Sequence, residues 1–148
     1  MGKICAFFGH RDVLSTVAPL IENQVRRLIT EESVDTFWLG GYGNFDACAA
    51  SVLRRLQGEY PNITILLIIA YPRQLERYGS ALPFDGFEYP AAVEAAPRKF
   101  AISARNRYMA EHTDFAIGYV QKEYGGAYDA LKTAANKHKT VINLAKEI

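Results

Sequence analysis

The chain has 148 residues, a formal net charge of +1 and 49% hydrophobic side chains. That is the size of one domain, apolar enough to bury a core without metal or disulfide support. The near-balanced charge argues against a broad basic field, so nucleic acid is not an expected partner, although a local basic pocket is compatible with it. The two cysteines, Cys5 and Cys48, lie in an apolar and an Ala-rich run with no CxxC or Cys/His spacing. They read as small buried thiols in a reducing compartment, and no metal site is expected. The N-terminus shows no signal-peptide pattern and no apolar run approaches membrane-spanning length, so the expected location is cytoplasmic, with no membrane partner.

In chain order, "KICAFF" (Lys3–Phe8) is short, apolar and strand-like. Val17, Leu20, Ile21, Val25, Leu28 and Ile29 then recur at helical spacing. "TFWL" (Thr36–Leu39) reads as a strand that ends in Gly-Gly, and Asp46–Gln57 as a helix that Asn44 is placed to cap. "ITILLIIA" (Ile63–Ala70) is apolar throughout, which marks a strand covered on both faces. From Tyr71 to Pro97 four prolines, several aromatics, Gly79 and Gly86 rule out one long helix and suggest a lid or binding loop. Phe100–Glu111 reads as a helix, Asp114–Val120 as a strand, the stretch after Gly125-Gly126 as a helix, and Thr140–Leu144 as the closing strand. Strands alternating with helices imply a single α/β domain, a three-layer, doubly wound parallel sheet of about five strands.

In such sheets ligands bind beyond the carboxyl ends of the strands. The first strand is followed by Gly9-His10-Arg11-Asp12, the second by Gly40-Gly41-Tyr42-Gly43-Asn44-Phe45-Asp46, the last by Tyr124-Gly125-Gly126. Glycines permit close approach of backbone to ligand, and helix N-termini favour anions. The set points to a phosphate-bearing ligand. "GGYGNFD" is neither the dinucleotide fingerprint nor a Walker A loop, so its weight lies in company with the other turns.

Each candidate side chain carries two readings. Arg11 could grip a phosphate or carboxylate bidentately, or be a solvated surface arginine. His10 could orient a ligand or act as acid or base, or bond to a neighbouring loop. Asp12, like Ser15, reads as a cap of the first helix. Asp46 could accept from ribose hydroxyls, or supply favourable negative charge to a first helical turn. Arg105 and Arg107 stand two apart, so one faces inward while the other faces solvent or a partner subunit. Asn106, a mediocre helix former between them, needs a reason to be there. The aromatics Tyr71, Tyr78, Phe84, Phe87 and Tyr89 could stack on a base, form a dimer surface, or pack on each other.

Together "FFGHRD", "GGYGNFD", "KFAISARNRYM" and "YGGAYDAL" resemble the SLOG superfamily, the Rossmann-like group related to the "lonely guy" phosphoribohydrolases and to the DNA-processing protein A fold. The resemblance runs from Lys3 to Leu144, toward a branch of small bacterial and phage-associated proteins. The resemblance implies a binder of nucleotides or nucleotide-derived signals, in a sensor role, with no required cofactor. Gly9, Arg11, Gly41, Gly43, Gly125 and Gly126 would cradle phosphate, together with His10 and Gly40. Asp46 would hold ribose, and Arg105, Asn106 or Arg107 would add polar contacts. Some relatives cleave an N-glycosidic bond. The phosphoribohydrolase motif Gly-Gly-x-Gly-Thr-x-x-Glu is not kept here, because Tyr128-Asp129 replaces Gly-Thr and Lys132 stands in place of the glutamate. A lysine cannot stabilise an oxocarbenium-like centre. Glycosidase or transferase action on nucleoside monophosphates is therefore the alternative function, with Asp46 as its first catalytic candidate and Asp129 or Glu88 behind it. A homo-oligomer is expected, and an oligomeric structural module is the further alternative.

Overall fold

The computed structural model describes residues 2–10, 12–78 and 84–146, with Arg77 and Tyr78 described in backbone only. Arg11 and Gly79, both singled out above, lie outside the described residues, as does Pro83, one of the four prolines of the Tyr71–Pro97 segment. The strands are β1 (Lys3–Gly9), β2 (Val34–Leu39), β3 (Thr64–Ile68), β4 (Gly86–Glu88), β5 (Phe115–Tyr119) and β6 (Thr140–Asn143). They form one sheet in the order β4-β3-β2-β1-β5-β6, with every pairing parallel. The helices are α1 (Ala18–Glu31), α2 (Gly43–Gln57), α3 (Gln74–Tyr78), α4 (Ala91–Glu94), α5 (Ala101–His112) and α6 (Gly126–Asn136).

The strand β1 shows why the sheet is covered on both sides. Side chains alternate across a strand, so Cys5 and Phe7 face one way and Ala6 and Phe8 the other. Cys5 and Phe7 join a core with Ile21, Val25 and Leu28 of α1 and Phe45, Leu53 and Leu56 of α2. Ala6 and Phe8 join a second core with Met109 and Ala110 of α5 and Ala130, Leu131 and Ala134 of α6. Phe7 sits 6.2 Å from Phe37 and 6.3 Å from Phe45, ring centre to ring centre. Removing any one of these fully buried rings costs on the order of 3–5 kcal/mol. Burial pushes the Cys5 thiol far up, which leaves it an inert part of this packing.

The strand order reverses between β1 and β5. From β1 the chain steps outward through β2 and β3, with α1 and α2 on one face, and it later returns to the far side of β1 as β5 and β6, with α5 and α6 on the other. This places the turns after β1 and β5 at the switch point.

Three local expectations are corrected. The sheet has six strands, because the Pro/aromatic segment contributes β4 as a parallel edge, Leu66 opposite Gly86 and Ile68 opposite Glu88. Asp85 fastens it: its amide donates to Ile65 O at 2.7 Å, and its Oδ2 accepts from Ile65 N at 2.8 Å and Gln57 Nε2 at 2.7 Å. The same segment also folds α3 and the single turn α4, which starts behind Pro90. Asn44 does not cap α2, which begins one residue earlier, at Gly43, with Tyr42 in the cap position. Neither Asp12 nor Ser15 caps α1. A tight turn from Ser15 to Val17 leads in, Val17 N donating to Leu14 O at 3.1 Å, and Pro19 leaves one donor fewer to satisfy.

Candidate functional site

At the end of β2 the chain folds into a closed polar knot. The amides of Gly40 and Gly41 donate to Asp46 Oδ2 at 3.0 and 2.8 Å. The carbonyl of Gly40 accepts from Arg105 Nη1 at 2.8 Å and from Gln74 Nε2 at 3.0 Å. Arg105 also donates to Ile68 O at 3.3 Å and to Asn106 Oδ1 at 3.0 Å, and its guanidinium stands over the ring of Tyr42. Gln74 Oε1 accepts from the amides of Ala70 and Tyr71 at 2.7 and 3.3 Å. Three helices thus tie two strand ends together: Asp46 comes from α2, Gln74 from α3 and Arg105 from α5.

Asp46 and Arg105 are only 8% and 4% exposed. Burial pushes the Asp46 carboxyl up to about 6, against the Arg105 charge and the amides of Gly41, Gly40 and Tyr42, which pull the other way. Desolvation prevails because the carboxylate is almost entirely withdrawn from water. Gly40 has no room for a side chain, since a Cβ there would lie 2.6 Å from Arg105 Cζ.

The other predicted residues part company. Gly9 makes room for protein and not for ligand: a Cβ there would lie 2.3 Å from the ring of Phe45. His10 Nε2 accepts from the amide of Gln121 at 3.1 Å, which ties the end of β1 to the loop after β5 across the switch point. Arg107 points outward, paired with Glu111 at 3.5 Å. Asn106 gains its reason in mid-helix by accepting from Arg105 and facing the start of α6, near Gly126. Gly125 takes a φ of +99° and has open space beside it, and α6 starts at Gly126 without a side-chain cap bond. Gly43, with φ +86°, opens α2 beside Asp46 on the wall of a 680 Å³ cleft that Arg54 and Phe84 also line.

The carboxyl knot therefore gathers Gly40, Gly41, Asp46 and Arg105, with Gly43 on its flank. Asp46 is turned to its own loop, so its oxygen Oδ2 is engaged by backbone and lends no support to glycoside cleavage. Asp129 sits in the first turn of α6, Glu88 ends β4, and Lys132 lies near the ring of Tyr128 on α6. Sequence reading missed Gln74. A lone glutamine behind Pro72-Arg73 carries no pattern, and only the fold shows that it bridges two strand ends.

The topology and switch point define the class: a Rossmann-like, doubly wound α/β protein. More particularly, the fold is the one seen in DNA processing protein A. The Streptococcus pneumoniae DNA processing protein A superposes with a TM-score of 0.67 at 21% identity, over 95% of this chain and 49% of that one. The Helicobacter pylori protein superposes with a TM-score of 0.65 at 16% identity, over 98% of this chain and 70% of that one. The chain thus spans about half the length of the first and about two thirds of the second. No family model matches the sequence, and no curated protein matches it. The Helicobacter structure is described for a unique single-stranded DNA binding mode. That overturns the expectation that nucleic acid is an improbable partner: a fold of this kind engages it, and a near-neutral net charge does not exclude it. No helix among the described residues is long and apolar enough to cross a membrane.

Proposed function

We propose that the carboxyl edge of the sheet binds a phosphate-bearing, nucleotide-type ligand. One observation carries the reading. Cations are paired with aromatic rings along this edge: Arg73 lies 5.0 Å from the Tyr71 ring, Lys99 5.1 Å from Phe100, and Lys122 5.7 Å from Tyr124. These pairs follow β3, precede α5 and follow β5, positions that share one edge. Phe100 and Tyr124 are 52% and 67% exposed, a cost in water that a stacking partner would offset. Every base offers a face to an aromatic ring, and the neighbouring cation meets the phosphate. The single-stranded DNA bound by the Helicobacter neighbour agrees with this chemistry.

The reading shifts weight within the predicted set. The amides of Gly40 and Gly41 serve Asp46, so that turn holds the architecture. The phosphate contacts fall to the rim cations, to His10 at the switch point, to Arg11, which follows it in the chain, and to the open Gly125-Gly126 start of α6. The test is fluorescence anisotropy with a short labelled single strand, with free nucleoside monophosphates as competitors, across a salt series. Saturable binding that weakens as salt rises is expected. No binding of strand or mononucleotide at low salt would overturn the reading. The same incubations, assayed for free base, decide the glycosidase alternative.

A further inference from the structure

At the carboxyl ends of β3 and β4, within the Pro/aromatic segment, lies a hollow of about 300 Å³. Its floor is apolar: Ala70, Val93 and Ala101 are nearly fully buried and form a small core of their own. Tyr71 and Tyr89 bring aromatic rings to its walls, and Arg73, Arg98 and Glu94 bring charge. The walls are preset. Tyr71 donates its hydroxyl hydrogen to Arg98 O at 2.8 Å, its amide is held by Gln74, and Arg73 lies over its ring. Neither Arg73 nor Arg98 makes an ion pair with another described residue.

Two exposed guanidinium groups without carboxylate partners among the described residues, beside two tyrosines and an apolar floor, suit a flat, electron-rich ring that carries an anion. The volume stands at the small end of ligand clefts, room for one planar base and not for a whole nucleotide. Glu94 opposes a bare polyanion in the hollow and accepts from a ring edge that carries N–H donors. We infer that this hollow takes one nucleobase of the ligand, ring in and phosphate out, with Arg73 and Arg98 on the flanking phosphate. The inference rests on the nucleotide-type binding proposed above and adds where the base enters, away from the β1–β5 switch point.

The experiment compares wild type with Ala96→Phe, which plugs the hollow from its wall, and with Arg73→Ala, an exposed change that leaves the core alone. Each is titrated with a labelled single strand and with the same backbone lacking bases. Wild type should bind the base-bearing strand about tenfold more tightly than the abasic one, the scale of one stacked base. Ala96→Phe should erase that preference, and Arg73→Ala should weaken binding of the base-bearing strand. Should Ala96→Phe not fold by circular dichroism, Arg73→Ala decides alone. Wild-type binding with an unchanged base preference in Ala96→Phe and unchanged affinity in Arg73→Ala would remove the hollow and leave the edge reading intact. Absence of all binding by wild type would remove both. Displacement by a free nucleoside monophosphate assigns the base to a mononucleotide, and displacement by the strand alone assigns it to nucleic acid. Displacement by neither overturns the hollow.

Discussion

Two Gly-Gly turns lie on the same edge of this sheet and do opposite things. Gly40-Gly41, after β2, is closed: its amides are spent on Asp46, and its Gly40 carbonyl is shared by Arg105 and Gln74. Gly125-Gly126, after β5, is open: Gly125 has no atom within 4 Å of a would-be Cβ, and α6 begins without a side-chain cap. The first turn uses Gly40 so that protein can approach protein and Gly41, at φ +84°, for a backbone angle. The second uses Gly125 for a backbone angle alone, and leaves helix amides facing the edge. The letters "GG" carry neither fact. What separates the turns is whether a carboxylate lies five or six residues on, as Asp46 does, and whether an arginine on another helix reaches back.

The largest break in that comparison is Arg105→Ala. It would leave the Asp46 carboxylate buried without its counter-charge and strip donors from Gly40 O and Ile68 O. Loss of one member of such a buried charged group costs on the order of 3–5 kcal/mol. Chemical denaturation should show it, and Arg105→Lys should not restore it, because one ammonium cannot reproduce the fork that spans two carbonyls and Asn106. A loss under about 1 kcal/mol would mean that the knot is not what ties the strand ends.

Next comes Gly40→Ala. Its Cβ would land 2.6 Å from Arg105 Cζ, so the guanidinium must leave its carbonyls, at about 1–3 kcal/mol for overpacking. Gln74→Ala belongs to the same class: the amides of Ala70 and Tyr71 lose their acceptor, at about 1–3 kcal/mol for buried donors left unpaired. That variant should also loosen the Tyr71 side of the base hollow, so stability and affinity should fall together.

The pH dependence sharpens the closed turn. Asp46 titrates near 6 in the folded protein, above the roughly 3.9 of an unfolded aspartate. The folded state therefore holds the proton more tightly. This contribution to stability is fully present below about pH 4 and is lost as pH rises through about 6. Asp46→Asn removes the titration and should flatten that part of the profile, measured by urea midpoints between pH 4 and 7. A wild-type profile that rises through the same window relative to Asp46→Asn would mean that Arg105 and the amides outweigh burial.

The sheet was legible in the chain because period and composition act locally. "ITILLIIA" has no polar alternation, and β3 is indeed covered on both faces. β4 was not legible: three residues, one a glycine, carry no period, and the strand exists because Asp85 pins it to Ile65. Within the candidate site, Asp46 and Arg105 were found as chemically rich residues, but their partners were not. Arg105 reaches Gly40 across 65 positions and Gln74 reaches it across 34, distances at which no spacing rule operates. His10 ties to the loop after β5 through Nε2, a partner 111 positions away that no local pattern announces.

The smallest expected effect separates the two glycines of the open turn from each other. Gly126 is the first residue of α6 and has an ordinary φ, and a Cβ there would meet only the Asn106 amide, at 3.4 Å. Gly126→Ala should then be neutral or stabilising by a few tenths of a kcal/mol, because alanine has less freedom to lose on folding. Gly125→Ala has all the space it needs and should still destabilise by about 1–2 kcal/mol, since its φ of +99° penalises any Cβ. Thermal unfolding of the two variants reads the difference directly. Equal effects would mean that the turn can relax out of its left-handed geometry, and the contrast with the locked Gly40-Gly41 turn would become one of stiffness as well as of occupancy.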